Sequence, residues 1–203
     1  MVNILEDIMN NKSNRKVLFV TTLLVVILLI MYMAGFRLSP EAAAKAHAFL
    51  EKDSLLVHTE ETSLGKVYVY AQDDYYLTIM PEKKFLLWRA PTSVTTKGIN
   101  DKNDLIRTIG SLSATTKKGS VTVMVINVKD DNVKFVEAGI ELQRERQEVK
   151  KDKNVAFVWD KPYLYHQVNP IALSGTGEIL YKYQIPMNNA SIDQKELRWH
   201  KAE

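Results

Sequence analysis

The segment RKVLFVTTLLVVILLIMYMAGFR, residues 15–37, holds twenty consecutive residues without a charge, Val17 to Phe36. Its fate decides what the rest of the chain has to do. As a helix rising ~1.5 Å per residue, the run measures about 30 Å, which matches the hydrocarbon thickness of a bilayer. A helix buried in a soluble core normally shows a polar stripe, whereas only Thr21 and Thr22 interrupt the body of this run. A cleaved signal peptide has an apolar stretch of about 7 to 15 residues followed by small residues at the cleavage site. Here the run is longer, and bulky Tyr32 and Met33 stand near its end. The expectation is therefore an uncleaved membrane anchor.

Working outward, Lys12, Arg15 and Lys16 crowd the N-terminal flank, while Arg37, Lys45 and Lys52 are spread along the other. Arg15 and Lys16 abut the run, and long domains cross a membrane largely regardless of their charge, so the N-terminus is expected in the cytoplasm. This divides the chain into a short cytoplasmic tail (1–16), a transmembrane anchor (17–36) and an extracytoplasmic domain (37–203) at the cell membrane. The last is long enough to bury its own core.

Directly after the anchor, SPEAAAKAHAFLEK carries helix-start chemistry: Ser39 as cap, Pro40 at the first position and Glu41 at the positive end of the dipole. A helix over 40–52 is predicted, with Ala42, Ala46, Phe49 and Leu50 on its packed face. From Ser54 onward the pattern is one of short strands: 55–59, 66–71, 75–80, 85–89, 105–110, 120–128, 133–137, 155–159 and 178–185. Asp73-Asp74 and Gly175-Thr176-Gly177 read as tight hairpins between them. VTVMVINV, residues 121–128, is apolar on both faces and should lie centrally. The fold class expected is α+β, mainly β: an N-terminal transmembrane helix followed by an antiparallel-sheet domain with one packed helix.

The densest charge run, ELQRERQEVKKDK at 141–153, mixes signs and reads as a solvated loop or a short exposed helix. From Arg37 onward the chain carries 24 Lys and Arg against 22 Asp and Glu. So balanced a count argues against nucleic acid as a partner. His47, His58, His166 and His200 are scattered and the chain contains no cysteine, so no metal site, disulfide or thiolate chemistry is indicated. LSGTGE holds Gly-x-Gly, but a strand pattern follows it where phosphate cradling needs a helix N-terminus. A G-x-S-x-G nucleophile elbow is missing, and no cofactor is called for.

One echo remains. LLWRAP at 86–91 and FVWDKP at 157–162 share two apolar residues, Trp, two others and Pro. Trp88 and Trp159 are expected as core anchors, with Pro91 and Pro162 stopping strands. The competing reading makes Trp88, Arg89, Trp159 and Asp160 a partner-binding groove, because Trp suits places where an apolar body needs one wet edge.

The order of SPEAAAKAHAFLEK, GKVYVY and YYLTI resembles a PepSY-like module, which implies a helix packed across an antiparallel sheet in an extracytoplasmic protein. More broadly, the order of anchor, FRLSPEAAAKAH, LWRAP, FVWDKP, GEILYKY and ELRW resembles that of small single-pass membrane proteins of Bacillus-type Gram-positive bacteria. The likeness brings no activity and no functional residues with it. The function expected is a non-enzymatic, membrane-anchored binding or regulatory domain that meets an envelope protein or peptide. The alternative is a cell-envelope hydrolase whose carboxylates converge only in the fold. The two differ in what a cleft should hold: two carboxyls within about 10 Å for the hydrolase, an open apolar groove for the binder.

Overall fold

The structure is a computed structural model and describes residues 12–97, 104–184 and 198–202. It is mainly β with antiparallel sheets, few helices and one N-terminal apolar helix. Helix α1 (Lys12–Met33) is long and apolar enough to cross a membrane, and its apolar stretch is not buried against the rest of the protein. It ends in a Schellman motif, in which Gly35 takes φ 85°, Gly35 N–H donates to Tyr32 O at 3.1 Å and Phe36 N–H to Met31 O at 3.0 Å.

Helix α2 (Pro40–Lys45) starts as its sequence demands, with Ser39 Oγ accepting from Ala42 N–H at 3.1 Å, a cap worth about 1 kcal/mol. It stops well short of Lys52. His47 Nδ1 accepts from Phe49 N–H at 3.2 Å, a local bond that competes with the helical ladder, and Phe49 is left exposed. The packed face also differs from expectation. Ala43 and Ala44 are the buried residues, because only small side chains let so short a helix lie close on a sheet.

Among the described residues, twelve strands form three sheets. β1 (Leu55–Thr62), β2 (Gly65–Ala71), β3 (Tyr75–Lys84) and β4 (Leu87–Lys97) make a meander in that order. The middle sheet has the order β5-β6-β9, from β5 (Ile106–Thr116), β6 (Gly119–Val128) and β9 (Val155–Trp159). The third runs β12-β11-β10-β7-β8, from β7 (Phe135–Ile140), β8 (Gln143–Glu148), β10 (Ile171–Leu173), β11 (Ile179–Gln184) and β12 (Arg198–Lys201). A short helix α3 (Tyr165–Val168) precedes β10.

Strand periodicity sorts these elements into layers. In β2, Tyr68 and Tyr70 face α2 together with Leu77 and Ile79, while Val67 and Val69 face the middle sheet. In β6, Val121, Val123 and Val125 meet those valines, and Met124 and Ile126 point the other way, into a core shared with Phe157, Val136 and Tyr181. The order is thus α2, meander, middle sheet, third sheet. Val121 to Ile126 is apolar on both faces because a sheet covers each of them.

Gly110 marks a close approach of the first two sheets. A Cβ there would lie 2.8 Å from Val69 Cγ2, and beside it Ser111 N–H donates to the buried Thr78 Oγ1 at 3.2 Å. Three further expectations are corrected. The charge run at 141–153 contains β8, an edge strand whose Arg146 pairs with Glu137 at 2.6 Å across the ladder. Its charges are solvated as expected, but they blunt a sheet edge rather than decorate a loop. Pro91 does not stop a strand: it lies inside β4, where the pairing shifts between Met80 and Glu82. Pro81 and Pro91 both fall within that irregularity, where a missing N–H is tolerated. The predicted strand at 85–89 starts only at Leu87, since β3 runs on through Lys84. Both hairpins at Asp73-Asp74 and Gly175-Gly177 are present, whereas Ile185 lies outside the described residues.

Candidate functional site

The two tryptophan pairs occupy different places. Trp159 ends β9 and is 6% exposed, stacked on Phe157 at 5.6 Å and edge-on to Tyr163 at 5.8 Å. It is a core anchor. Asp160 beside it is exposed and accepts from Ser63 Oγ at 2.5 Å at the β1–β2 turn. Trp88 is half-buried in β4, with Lys83 Nζ 5.9 Å from its ring centre, and exposed Arg89 lies 5.7 Å from the ring of Phe36. The pairs sit in different sheets, and none of the contacts found among the described residues joins them. What Trp88 and Arg89 do share is the segment leaving α1.

That segment is short and firmly held. Four residues past the end of α1, Arg37 exchanges both backbone hydrogen bonds with Trp88, N–H to O at 2.8 and 2.7 Å. The Arg37 guanidinium folds back to donate to Tyr32 O at 2.7 Å and Phe36 O at 2.8 Å, and it lies 3.9 Å from the Tyr32 ring centre. A cation at a helix C-terminus complements the exposed carbonyls there. The β4 strand is therefore fastened to the end of the apolar helix rather than linked to it by a free tether.

Next to this junction the β3–β4 hairpin turns on Phe85 and Leu86, since Lys84 and Leu87 are the last paired residues. Two-residue hairpin loops favour Asn or Gly where φ is positive. Phe85 instead holds φ 57°, an uncommon conformation for a bulky residue, and its side chain is 99% exposed, with Leu86 at 85%. Neither the turn geometry nor the core is served by an aromatic at this position. The tip and the helix end line one open groove of about 1010 Å³, to which Met31, Phe36, Leu38, Phe85, Leu86 and Arg89 contribute. A second open cleft joins Lys83, Lys84 and Phe85 to Lys117 and Lys118 on the β5–β6 turn. Glu82 lines both clefts and pairs with Lys84 at 2.8 Å. This end of the protein is thus apolar at its tip and basic around it.

The expected strand at 85–89 puts Phe85 and Leu86 in a strand, whereas they form the tip of the β3–β4 turn. The available signal was KKFLL itself, a pair of lysines and an apolar run with no core periodicity. Elsewhere, Ser63 and Lys66 have serine-x-x-lysine spacing, but they flank the β1–β2 turn, and Lys66 pairs with Glu61 at 2.8 Å while Ser63 bonds Asp160. Among the described residues, no group of three or more His, Cys, Asp or Glu is placed to hold a metal ion. The buried polar side chains among them are Thr78, Thr108, Ser111 and Thr122.

Tyr181 donates to Asp130 at 2.6 Å. That hydrogen bond holds the Asp130 carboxyl below its ordinary range. Burial, with the same bond second, pushes Tyr181 up to about 12. This pair fastens the loop before β7 to β11. Comparison with known proteins assigns no class, because no family model, characterised protein or solved structure matches the chain.

Proposed function

We propose that the chain is a membrane-anchored extracytoplasmic domain that binds or regulates an envelope partner, with residues 1–16 as a cytoplasmic tail, 17–36 as the span and 37–203 outside. The observation that carries this reading is the junction between the exposed apolar helix and β4, where Arg37 and Trp88 are hydrogen-bonded both ways. A helix so fastened would hold the β layers at a fixed attitude to the bilayer, which suits a platform for recognition at the membrane surface. The open apolar groove beside the junction is the feature expected of a binder. Packing of α2 on β2 and β3 suits the resemblance to a PepSY-like module, and the likeness to single-pass proteins of Bacillus-type Gram-positive bacteria is part of the same reading.

Topology is tested by adding protease to intact, wall-stripped cells. Digestion of the chain beyond Arg37 is expected, and complete protection, or a mature N-terminus near Gly35, overturns the proposal. Function is tested by photo-crosslinking in intact cells from the groove residue Leu38, with identification of whatever is captured.

A further inference from the structure

We propose that the β3–β4 tip is a second membrane contact: Phe85 and Leu86 enter the headgroup region of the leaflet from which α1 emerges, and Lys83, Lys84, Lys117 and Lys118 engage anionic phospholipid. The inference deepens the proposed function and rests on α1 being a membrane span. Three independent observations converge on it.

The first is position. Phe85 and Leu86 line the same groove as Met31, a residue of the last turn of α1, so the tip stands level with the end of the apolar run. A bilayer spanned by α1 reaches that level. The second is chemistry. Apolar side chains at a tip ringed by lysines form the pattern of an interfacial anchor, in which apolar groups sit among the acyl ends and cations meet the phosphates. Trp88 and Tyr32, at the same junction, are residue types favoured at membrane interfaces. Glu82 is the acidic residue lining both clefts, and its carboxylate is already paired with Lys84. The third is strain. A bulky residue at positive φ costs stability that Asn or Gly would not, and such strain persists where a site uses it.

Because the chain contains no cysteine, a single introduced one is a unique labelling site. The full chain carrying Leu86→Cys, Asp74→Cys or Leu24→Cys is labelled with an environment-sensitive dye. Each is reconstituted in phosphatidylcholine vesicles with and without phosphatidylglycerol. Spin-labelled lipid and aqueous iodide serve as opposing quenchers. The Leu86 label should be quenched by lipid and shielded from iodide, more so with phosphatidylglycerol, while the Asp74 label on the β2–β3 turn behaves in the opposite way. Replacing Lys83 and Lys84 by Gln should lower the preference for anionic vesicles by about fivefold per charge. Adding Phe85→Asn should move the Leu86 label into water without lowering the thermal midpoint, since Asn accommodates positive φ. That separates lost insertion from lost folding. Iodide access at Leu86 with lipid quenching at Leu24 overturns the tip contact and leaves the span intact. Absence of lipid quenching at Leu24 overturns the span and the tip contact together. Shielding of Leu86 from both quenchers assigns the tip to a protein surface, a second copy included, and overturns the lipid proposal.

Discussion

Arg37 and Trp88 form a two-way backbone bridge, 2.8 Å in one direction and 2.7 Å in the other, four residues beyond the end of α1. It joins the segment leaving the apolar helix to β4 of the meander. Arg37→Pro removes one of the two donors. The amide of Trp88 should then exchange with solvent at least several-fold faster, and the thermal midpoint should fall by the equivalent of about 1 kcal/mol. Unchanged exchange at Trp88 would show that the junction is held by other contacts.

The tryptophans should separate in a denaturant titration. Trp159 is stacked in the core, so Trp159→Ala is expected to cost about 3 to 5 kcal/mol. Half-buried Trp88 should cost clearly less. Val123, 1% exposed in the middle of β6, supplies an internal standard for a buried truncation. Equal midpoints for the two Trp variants would contradict the burial described here.

Gly110→Ala should destabilise by about 1 to 3 kcal/mol, because the new methyl group meets Val69 at 2.8 Å across the sheet interface. The cause is specific, so it should be reversible. Combining Gly110→Ala with Val69→Ala should recover part of the loss, and a double-mutant cycle would report favourable coupling. Simple additivity would mean that the glycine is needed for its backbone alone.

Alkaline stability should be limited by two tyrosines. Burial pushes Tyr70 up to about 12, and burial together with the bond to Asp130 does the same for Tyr181. A group with a raised folded value contributes stability that is intact below the unfolded value near 10 and is lost as pH rises toward about 12. Tyr70 Oη is buried without a hydrogen-bond partner, so Tyr70→Phe should be neutral or stabilising at pH 7 and should soften the alkaline loss. Asp130 acts at the other end of the scale. Its lowered value gives stability that is present above the ordinary carboxylate range and lost as pH falls through the folded value, and Tyr181→Phe should weaken that acid limb. Unfolding free energies measured from pH 3 to pH 12 would check both limbs.

Much of this architecture was legible locally. Twenty uncharged residues announce a helix able to cross a membrane whatever else the chain does, because that property depends on length and composition alone. Ser39, Pro40 and Glu41 announce the start of α2, since capping is satisfied within one turn. Alternation in β2, β6 and β9 announces strands, and the two-sided apolar pattern of Val121 to Ile126 announces a central one.

Other features required the chain to meet itself. The packed face of α2 depends on which residues can approach the tyrosines of β2, and Ala43 and Ala44 win on size. The strand character of Gln143 to Glu148 comes from pairing with β7, a partner that no local pattern names. The echo of Trp88 and Trp159 looked like one theme, yet layering buries one ring between sheets and leaves the other half-exposed beside α1. The tip is the clearest case. KKFLL is a plausible strand by composition, and only the register of β3 against β4 makes Phe85 and Leu86 the turn and sets them beside Met31. Composition and periodicity determine what a segment can become because they act over a few residues. Which surface it finally presents is decided by long-range pairing, whose partners are distant in sequence and close only in the fold.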